Sequence, residues 1–296
     1  MRNRDESYLM RSLLFVPAHN SDLLESAAKR EVDVLLLDLE DSVQPRPNKA
    51  LARQNIIKFI KEGNFDDKMI FPRINDRESG ELLKDVYELS INGVTGFMYP
   101  KAKDGQDIYF IDKLLETIEF EKNIPVGTFK LIPLIETAAA VLNAQSICQA
   151  SERVIAIAYG CEDFISDLKG IHDAEENSLF TPRAMIAMAA RANNVIPIDT
   201  VHIKVHDLAS LEKNIKIAKN LGFEGMLLLN PKEIPLVHKY YSPSDQEVKE
   251  AEEVLVLAAE AKAEGKGVAV KNGRFIGPPM ITAANNTLKK HSLISK

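Results

Sequence analysis

Eight short apolar runs, each separated from the next by a longer amphipathic stretch, constrain this chain more than any other feature. They lie at 13–17 (LLFVP), 34–39 (VLLLDL), 69–75 (MIFPRIN), 96–101 (GFMYPK), 130–136 (KLIPLIE), 154–160 (VIAIAYG), 196–203 (IPIDTVHI) and 225–231 (GMLLLNP). Each is too short for a helix and nearly all apolar, as a strand buried on both faces reads. Strands alternating with helices imply right-handed βαβ units in a parallel sheet. Eight units predict an α/β fold closed into a (β/α)8 TIM barrel, with an open doubly wound sheet as the alternative. No GxGxxG follows the first run, which counts against dinucleotide binding.

A barrel takes about 250 residues. The chain has 296. The division this implies is a barrel over 1–240 and a C-terminal arm over 241–296. The arm reads as helix, hairpin and helix. Ser244 with Glu247 makes a capping box, and Val248, Ala251, Val254, Leu255, Ala258 and Ala259 follow as one apolar stripe at helical spacing. A hairpin is predicted over 265–277, turning at Asn272-Gly273, and a last helix from about Pro279 to Lys289. Such an arm could pack on its own barrel or on a neighbouring subunit. Elsewhere a helix is predicted from about Asn48 to Lys61, and another opening at Thr181-Pro182, with threonine as N-cap and proline at the first helical position.

Composition removes several function classes. With 43 acidic and 37 basic side chains the net charge is -6, whereas a dedicated nucleic-acid binder shows a basic surplus. No apolar run approaches the roughly 20 residues of a membrane span. The first dozen residues, MRNRDESYLMRS, carry no apolar core of signal-peptide length. The expectation is a soluble, cytoplasmic protein. The two cysteines, Cys148 and Cys161, have no accompanying Cys-His cluster and read as reduced core thiols rather than a zinc site.

In a barrel of this kind the active site lies at the C-terminal ends of the strands. That rule selects Asp38, Glu40 and Asp41 after the second run, Arg73 and Asn75 in the third, Lys101 after the fourth, Glu136 after the fifth, and Glu162 and Asp163 after the sixth. Glu136 and Asp163 end neighbouring strands. Two carboxylates so placed repel unless a cation or a proton lies between them. Oxygen-only ligation with room for water suits Mg2+. Equally, each carboxylate could cap the helix that follows it. Arg73 could clamp a carboxylate or stabilise an oxyanion, or pair with the mouth acids. Asp38, Glu40, Asp41 and Lys101 could position it. His19 and His172 show no evident partner and read as loop residues.

Taken together, 11–17 (RSLLFVP), 37–43 (LDLEDSV) followed by Lys49 and Ala52-Arg53, Arg73-Ile74-Asn75, Pro100-Lys101, 135–138 (IETA) and 160–168 (GCEDFISDL) occur in order at the expected strand ends. The ordered set resembles the citrate lyase beta-subunit-like branch of the HpcH/HpaI aldolase family over nearly the whole chain. The resemblance implies a homotrimeric or hexameric barrel whose arm lies near a neighbour's site. It implies a Mg2+-dependent carbon–carbon lyase that cleaves a 3-hydroxyacyl-CoA of the citryl-, malyl- or citramalyl-CoA type to an acyl-CoA and an oxo acid. By it, Glu136 and Asp163 would hold the metal and Arg73 would contact the substrate oxygen. The oxo acid would rest partly on the backbone N–H groups of Gly160, Cys161 and Glu162.

Three positions depart from the family pattern. Pro17-Ala18 stands where proline-glycine is usual, Asn230-Pro231 where His-Pro is usual, and Gly277 where the hairpin usually carries an aspartate that acts as acid or base. Glycine transfers no proton. Two alternatives therefore stay open: a metal-dependent aldolase or hydrolase acting on a free oxo or hydroxy acid, and a non-catalytic metabolite-binding homologue.

Overall fold

The computed structural model describes residues 8–172, 177–265, 268–271 and 274–295. Eight parallel strands lie in the order β3-β2-β1-β8-β7-β6-β5-β4: β1 Ser12–Pro17, β2 Val34–Asp38, β3 Met69–Ile70, β4 Gly96–Tyr99, β5 Lys130–Ile135, β6 Ala156–Tyr159, β7 Ile196–Asp199 and β8 Gly225–Leu228. All eight runs become strands, and helices connect them. Their side chains are almost wholly buried on both faces; Leu35, Leu36, Leu37, Ile132, Ile157 and Leu228 are fully enclosed. This double burial is why the runs do not alternate with polar residues.

The ring closes between β3 and β4. The third strand is short because Pro72 has no N–H to donate, yet the backbone continues in register. The Arg73 N–H donates to Leu37 O, and its carbonyl accepts from Leu39 N–H. On the other side, Met98 N–H donates to Pro72 O, and Ile74 N–H donates to Met98 O. Arg73 is thus bridged to both Asp38 and Met98, and the sheet forms a nearly closed barrel.

Several boundaries differ from expectation. The seventh run stops as a strand at Asp199, three residues after Ile196. The eighth run ends in a short 3-10 turn, Pro231–Glu233, capped by Asn230. Thr181-Pro182 does not open its helix. That helix spans Asn177–Ala192, with Pro182 in its second turn. At this position proline has no N–H to donate to the carbonyl of Ser178, one turn earlier. The helix Asn48–Lys61 is as expected. Cys148 and Cys161 are both buried thiols, not joined in a disulfide. None of the described helices is long and apolar enough to cross a membrane.

The chain divides into two compact units, Met10–Val237 forming one and His238–Lys296 the bulk of the other. Within the second, the helix Asp245–Ala263 starts at the Ser244/Glu247 capping box and packs along the helix Pro278–Ile294. The stripe residues Val248, Val254, Leu255 and Ala258 are partly covered and Ala251 is buried, whereas Ala259, expected in the same stripe, is exposed. Strands β9 Ala269–Lys271 and β10 Arg274–Ile276 pair antiparallel, with Phe275 opposite Val270. The expected turn at Asn272-Gly273 lies outside the described residues. Gly277 is the N-cap of the last helix, in extended backbone. A Cβ on it would come within 2.5 Å of the Phe275 ring.

Candidate active site

The C-terminal ends of the strands surround a cavity of about 350 Å3 lined by residues of the barrel alone. Arg73, Asp38, Glu136, Gly160, Cys161, Glu162 and Asp163 all line it. Glu40, Asp41 and Lys101 do not, but they bracket the residues that do.

Arg73 is the centre of the polar side. Its guanidinium grips Asp38 through two parallel hydrogen bonds, Nε to Oδ1 at 2.7 Å and Nη2 to Oδ2 at 2.8 Å. Nη1 lies 3.1 Å from Glu40 and 3.4 Å from Asp41. The Phe15 ring supports it from below, 4.8 Å from centroid to Cζ. A guanidinium has five N–H donors. Three of these contacts are hydrogen bonds and the one to Glu40 is an ion pair; one hydrogen on Nη2 is uncommitted among the described residues. Asp38 is itself held by the Ser42 hydroxyl at 2.5 Å and by the Glu40 and Ser42 backbone N–H groups. Burial works against the Asp38 carboxylate, but the Arg73 charge and these hydrogen bonds outweigh it and hold its pKa below the usual range. Burial likewise opposes the charge on Arg73, and Asp38, Glu40 and Asp41 override it.

The opposite wall is under electrostatic pressure. Glu136 is 2% exposed. Burial, then the nearby Glu40 charge and Asp163, push its carboxyl up to about 8, against the Lys101 N–H and Arg73, which pull it down. Glu40 is pushed up to about 7, first by burial and also by Asp41, with Arg73 and Lys101 opposing. Thr137, not Glu136, caps the following helix: its hydroxyl accepts the Ala140 N–H. One Glu136 oxygen accepts the Lys101 N–H at 2.5 Å. The other sits where a side chain at position 160 would be, 3.0 Å from a Cβ built on Gly160. Glycine at 160 is therefore the condition for Glu136 to lie across the mouth.

Lys101 adopts a left-handed backbone (φ 51°), which turns its N–H toward Glu136. Its ammonium pairs with Glu40 at 2.9 Å and Asp76 at 3.0 Å. Burial lowers its pKa, but these partners raise it further, so the amine stays protonated. That state suits a positioning cation and not a Schiff-base nucleophile.

Beyond β6, the helix Cys161–Leu168 begins at the cavity with Glu162 and Asp163 in its first turn. Two of the three amides expected to receive an oxo acid are already committed. Gly160 N–H donates to Ile135 O, and Cys161 N–H donates to the Thr200 hydroxyl at 3.1 Å. The Glu162 amide remains. His172 is not a lone loop residue: its Nε2 lies 3.0 Å from Glu162.

Ser42, Thr200 and the Phe15 platform escape sequence reasoning. Lys49 stands among the motif residues without a role. Its ammonium is buried and spends its three N–H donors on Leu39 O, Glu40 O and Asn75 Oδ1, at 2.9, 3.0 and 2.5 Å. It braces the acidic loop from beneath. Ala18 adopts no left-handed backbone, so alanine in place of glycine carries no strain there.

Among the described residues no group of three or more His, Cys, Asp or Glu side chains gathers as a metal cage. Mg2+ does not require one: it keeps several waters and takes one or two carboxylates. Glu136 and Asp163 supply oxygen only, and the like-charge pressure on Glu136 is what a divalent cation relieves. The residues present therefore fit Mg2+.

Residues 11–231 match the family model HpcH/HpaI aldolase/citrate lyase. Citrate lyase subunit beta of Leuconostoc mesenteroides subsp. cremoris is 30% identical over 281 residues, covering 95% of this chain and 93% of its own length. The L-malyl-CoA/beta-methylmalyl-CoA lyase of Rhodobacter capsulatus is 32% identical over 291 residues, with 90% of each chain covered. A crystal structure of CitE from Mycobacterium tuberculosis in complex with magnesium, acetoacetate and coenzyme A aligns with a TM-score of 0.74 at 25% identity, over 97% of this chain and 99% of that one. The strand-end carboxylates, the clamped arginine and these full-length matches converge: the chain belongs to the HpcH/HpaI aldolase/citrate lyase family, and it is a carbon–carbon lyase.

Proposed function

We propose that this lyase is Mg2+-dependent and cleaves a 3-hydroxyacyl-CoA into an acyl-CoA and a 2-oxo acid, or runs the reverse condensation. The observation that carries the reading is one cavity faced by Arg73, with a hydrogen to give, and by Glu136, whose buried charge calls for a cation. The relatives named for citrate lyase and malyl-CoA lyase support the thioester class, as does the neighbouring structure with magnesium and coenzyme A.

In cleavage the substrate hydroxyl loses its proton and becomes the oxo-acid carbonyl. The carbon–carbon bond pair passes to the thioester α-carbon as an enolate, which takes up a proton. Glu136 and Asp163 would hold Mg2+, which when bound supplies Lewis-acid polarisation at the oxo-acid oxygens. Arg73 would donate its uncommitted N–H to the oxygen that gains charge. Asp38 fixes the plane of that guanidinium, so no reorientation is needed as charge develops. The Glu162 amide, in the first turn of its helix, would face the oxo-acid carboxylate.

The test is release of acyl-CoA from malyl-, citramalyl- and citryl-CoA with Mg2+ and with EDTA. Metal-dependent release from at least one is the expected result, and none from any of them refutes the reading. Assembly as a homotrimer or hexamer, with the arm beside a neighbour's cavity, belongs to the same proposal and is checked by light scattering.

Metal binding should couple to pH. A carboxyl raised from 4.5 to about 8 makes the folded, metal-free protein bind more protons than the unfolded chain between those values. Its stability contribution therefore falls as pH rises through that window. Mg2+ competes with the proton. The Mg2+-induced rise in melting temperature is expected to be larger at pH 8.5 than at pH 6; an equal shift at both would dissociate Glu136 from the metal.

Gly277 bears on the rate of turnover, since glycine supplies no proton there. Restoring an acid there is not neutral, because any Cβ displaces the Phe275 ring. Gly277→Asp is expected to cost about 1 kcal/mol of stability and to leave thioester cleavage unimproved. A tenfold gain in kcat would show instead that the missing acid limits this enzyme.

A further inference from the structure

The lysine beneath the acidic loop reaches Arg73 through a single peptide unit. Lys49 is buried in the first turn of the helix Asn48–Lys61, and its ammonium donates to Leu39 O, Glu40 O and Asn75 Oδ1, all neutral oxygens. Behind it the contacts continue. The Asn75 side-chain amide and backbone N–H both donate to Asp85 Oδ2, at 2.6 and 2.9 Å, and Arg53 Nη1 donates to Asp85 Oδ1 at 2.7 Å. Asn75, Arg53 and Asp85 are buried too. Stability alone does not call for such a cluster, because apolar residues of the same volume often serve as well or better. Apolar residues cannot, however, hold a peptide plane.

The Leu39 carbonyl and the Glu40 N–H belong to one planar trans unit and point in opposite directions. Lys49 holds the carbonyl at 2.9 Å. The N–H donates to Asp38 Oδ1 at 2.9 Å, and the same oxygen accepts Arg73 Nε at 2.7 Å. Lysine, peptide, aspartate and guanidinium form one unbroken line. The contact of the lysine with Asn75 also pins the chain just beyond Arg73. We propose that Lys49 is a positioning residue: it fixes the Leu39–Glu40 peptide, and through it the angle at which Asp38 holds the Arg73 guanidinium toward the cavity. Its effect on turnover rests on the reading of Arg73 as donor to the oxygen that gains charge; its effect on geometry does not.

Lys49→Met keeps the length of the stem and removes all three donors. Two measurements on the full chain test it, each made well below the melting temperature of the variant. The first needs no substrate: solvent exchange of the Arg73 Nε–H, recognised by nuclear magnetic resonance as the side-chain signal absent from Arg73→Lys. Exchange is expected to be at least ~10-fold faster in Lys49→Met, because local opening of the Asp38 contact governs it. The second is kcat for thioester cleavage, expected to fall ~10- to 100-fold with KM little changed, the cost of misplacing a group at the chemistry from a distance. In the double variant with Arg73→Lys the loss is expected to match that of Arg73→Lys alone, since a residue acting through another is not additive with it; a merely structural loss would multiply. A smaller effect on either measurement, or kcat losses that multiply, overturns the proposal even where cleavage by the parent upholds the lyase reading. Faster exchange in the variant of a parent that cleaves no thioester supports the positioning and removes the lyase reading. Should Lys49→Met fail to fold, Lys49→Gln, whose amide falls short of the reach of the lysine, is held to the same criteria.

Discussion

Arg73→Lys is expected to lower kcat for thioester cleavage by ~10²–10³-fold, the usual effect of losing one oriented oxyanion donor. The charge survives this substitution; the geometry does not. A guanidinium spans both oxygens of Asp38 and still presents another N–H in the same plane. An ammonium is a point donor with three hydrogens, and Asp38, Glu40 and Asp41 would compete for all of them. Because Asp38 and Glu40 are buried, the variant should also melt earlier, so kcat is measured well below its melting temperature at saturating Mg2+. Asp38→Asn probes the same contact from the other side. It keeps the shape, weakens the grip, and is expected to produce a smaller loss in kcat with KM little changed. A loss below tenfold for Arg73→Lys would remove the oriented-donor role.

The second large effect is expected at Glu136 and has opposite signs in two measurements. Glu136→Gln keeps an oxygen to accept the Lys101 N–H but carries no charge. Mg2+ dependence should vanish and kcat fall ~10³-fold, since several kcal/mol of Lewis-acid stabilisation depend on the metal. The metal-free protein, however, should become more stable than the parent near pH 8. The substitution removes a buried carboxylate that faces Glu40 and Asp163 without a cation of its own. Thermal denaturation in EDTA and in Mg2+ separates the two. A Gln variant that is less stable in EDTA than the parent would mean that the carboxylate is satisfied by the protein and has no need of a metal.

Much of this site is legible in the sequence because its residues interrupt apolar runs. Asp38, Arg73 and Glu136 each end or break a stretch that is otherwise fully enclosed, and a barrel brings strand ends to one mouth. The same logic fails where the polar residue hides in ordinary company. Thr200 falls within a run that reads as strand through 203, whereas the strand stops at Asp199. Phe15 reads as core, and only the fold reveals that its ring lies under Arg73. Lys49 is a helical lysine whose role shows only once two carbonyls of the loop above it and the Asn75 side chain supply three acceptors. The N–H groups at 160 and 161 look available because sequence carries no information on cross-strand bonding; the sheet and Thr200 claim them. Pro182 misplaces a helix start because proline marks a first turn only on average.

The bridge that closes the barrel runs through the backbone of Arg73, between Leu37 and Leu39 on one flank and Met98 on the other. Side chains alternate between the two faces of a strand, so a slip of one residue at this seam would turn the guanidinium away from the mouth. The backbone that carries the guanidinium is thus the one that completes the ring. A chain with its seven other strand pairings formed and this seam still open has its core but lacks the Met98 bridge that fixes the second flank of Arg73. Correct closure is thereby tied to catalytic competence, and protection of the Ile74 and Met98 amides from solvent exchange should appear together with activity during refolding.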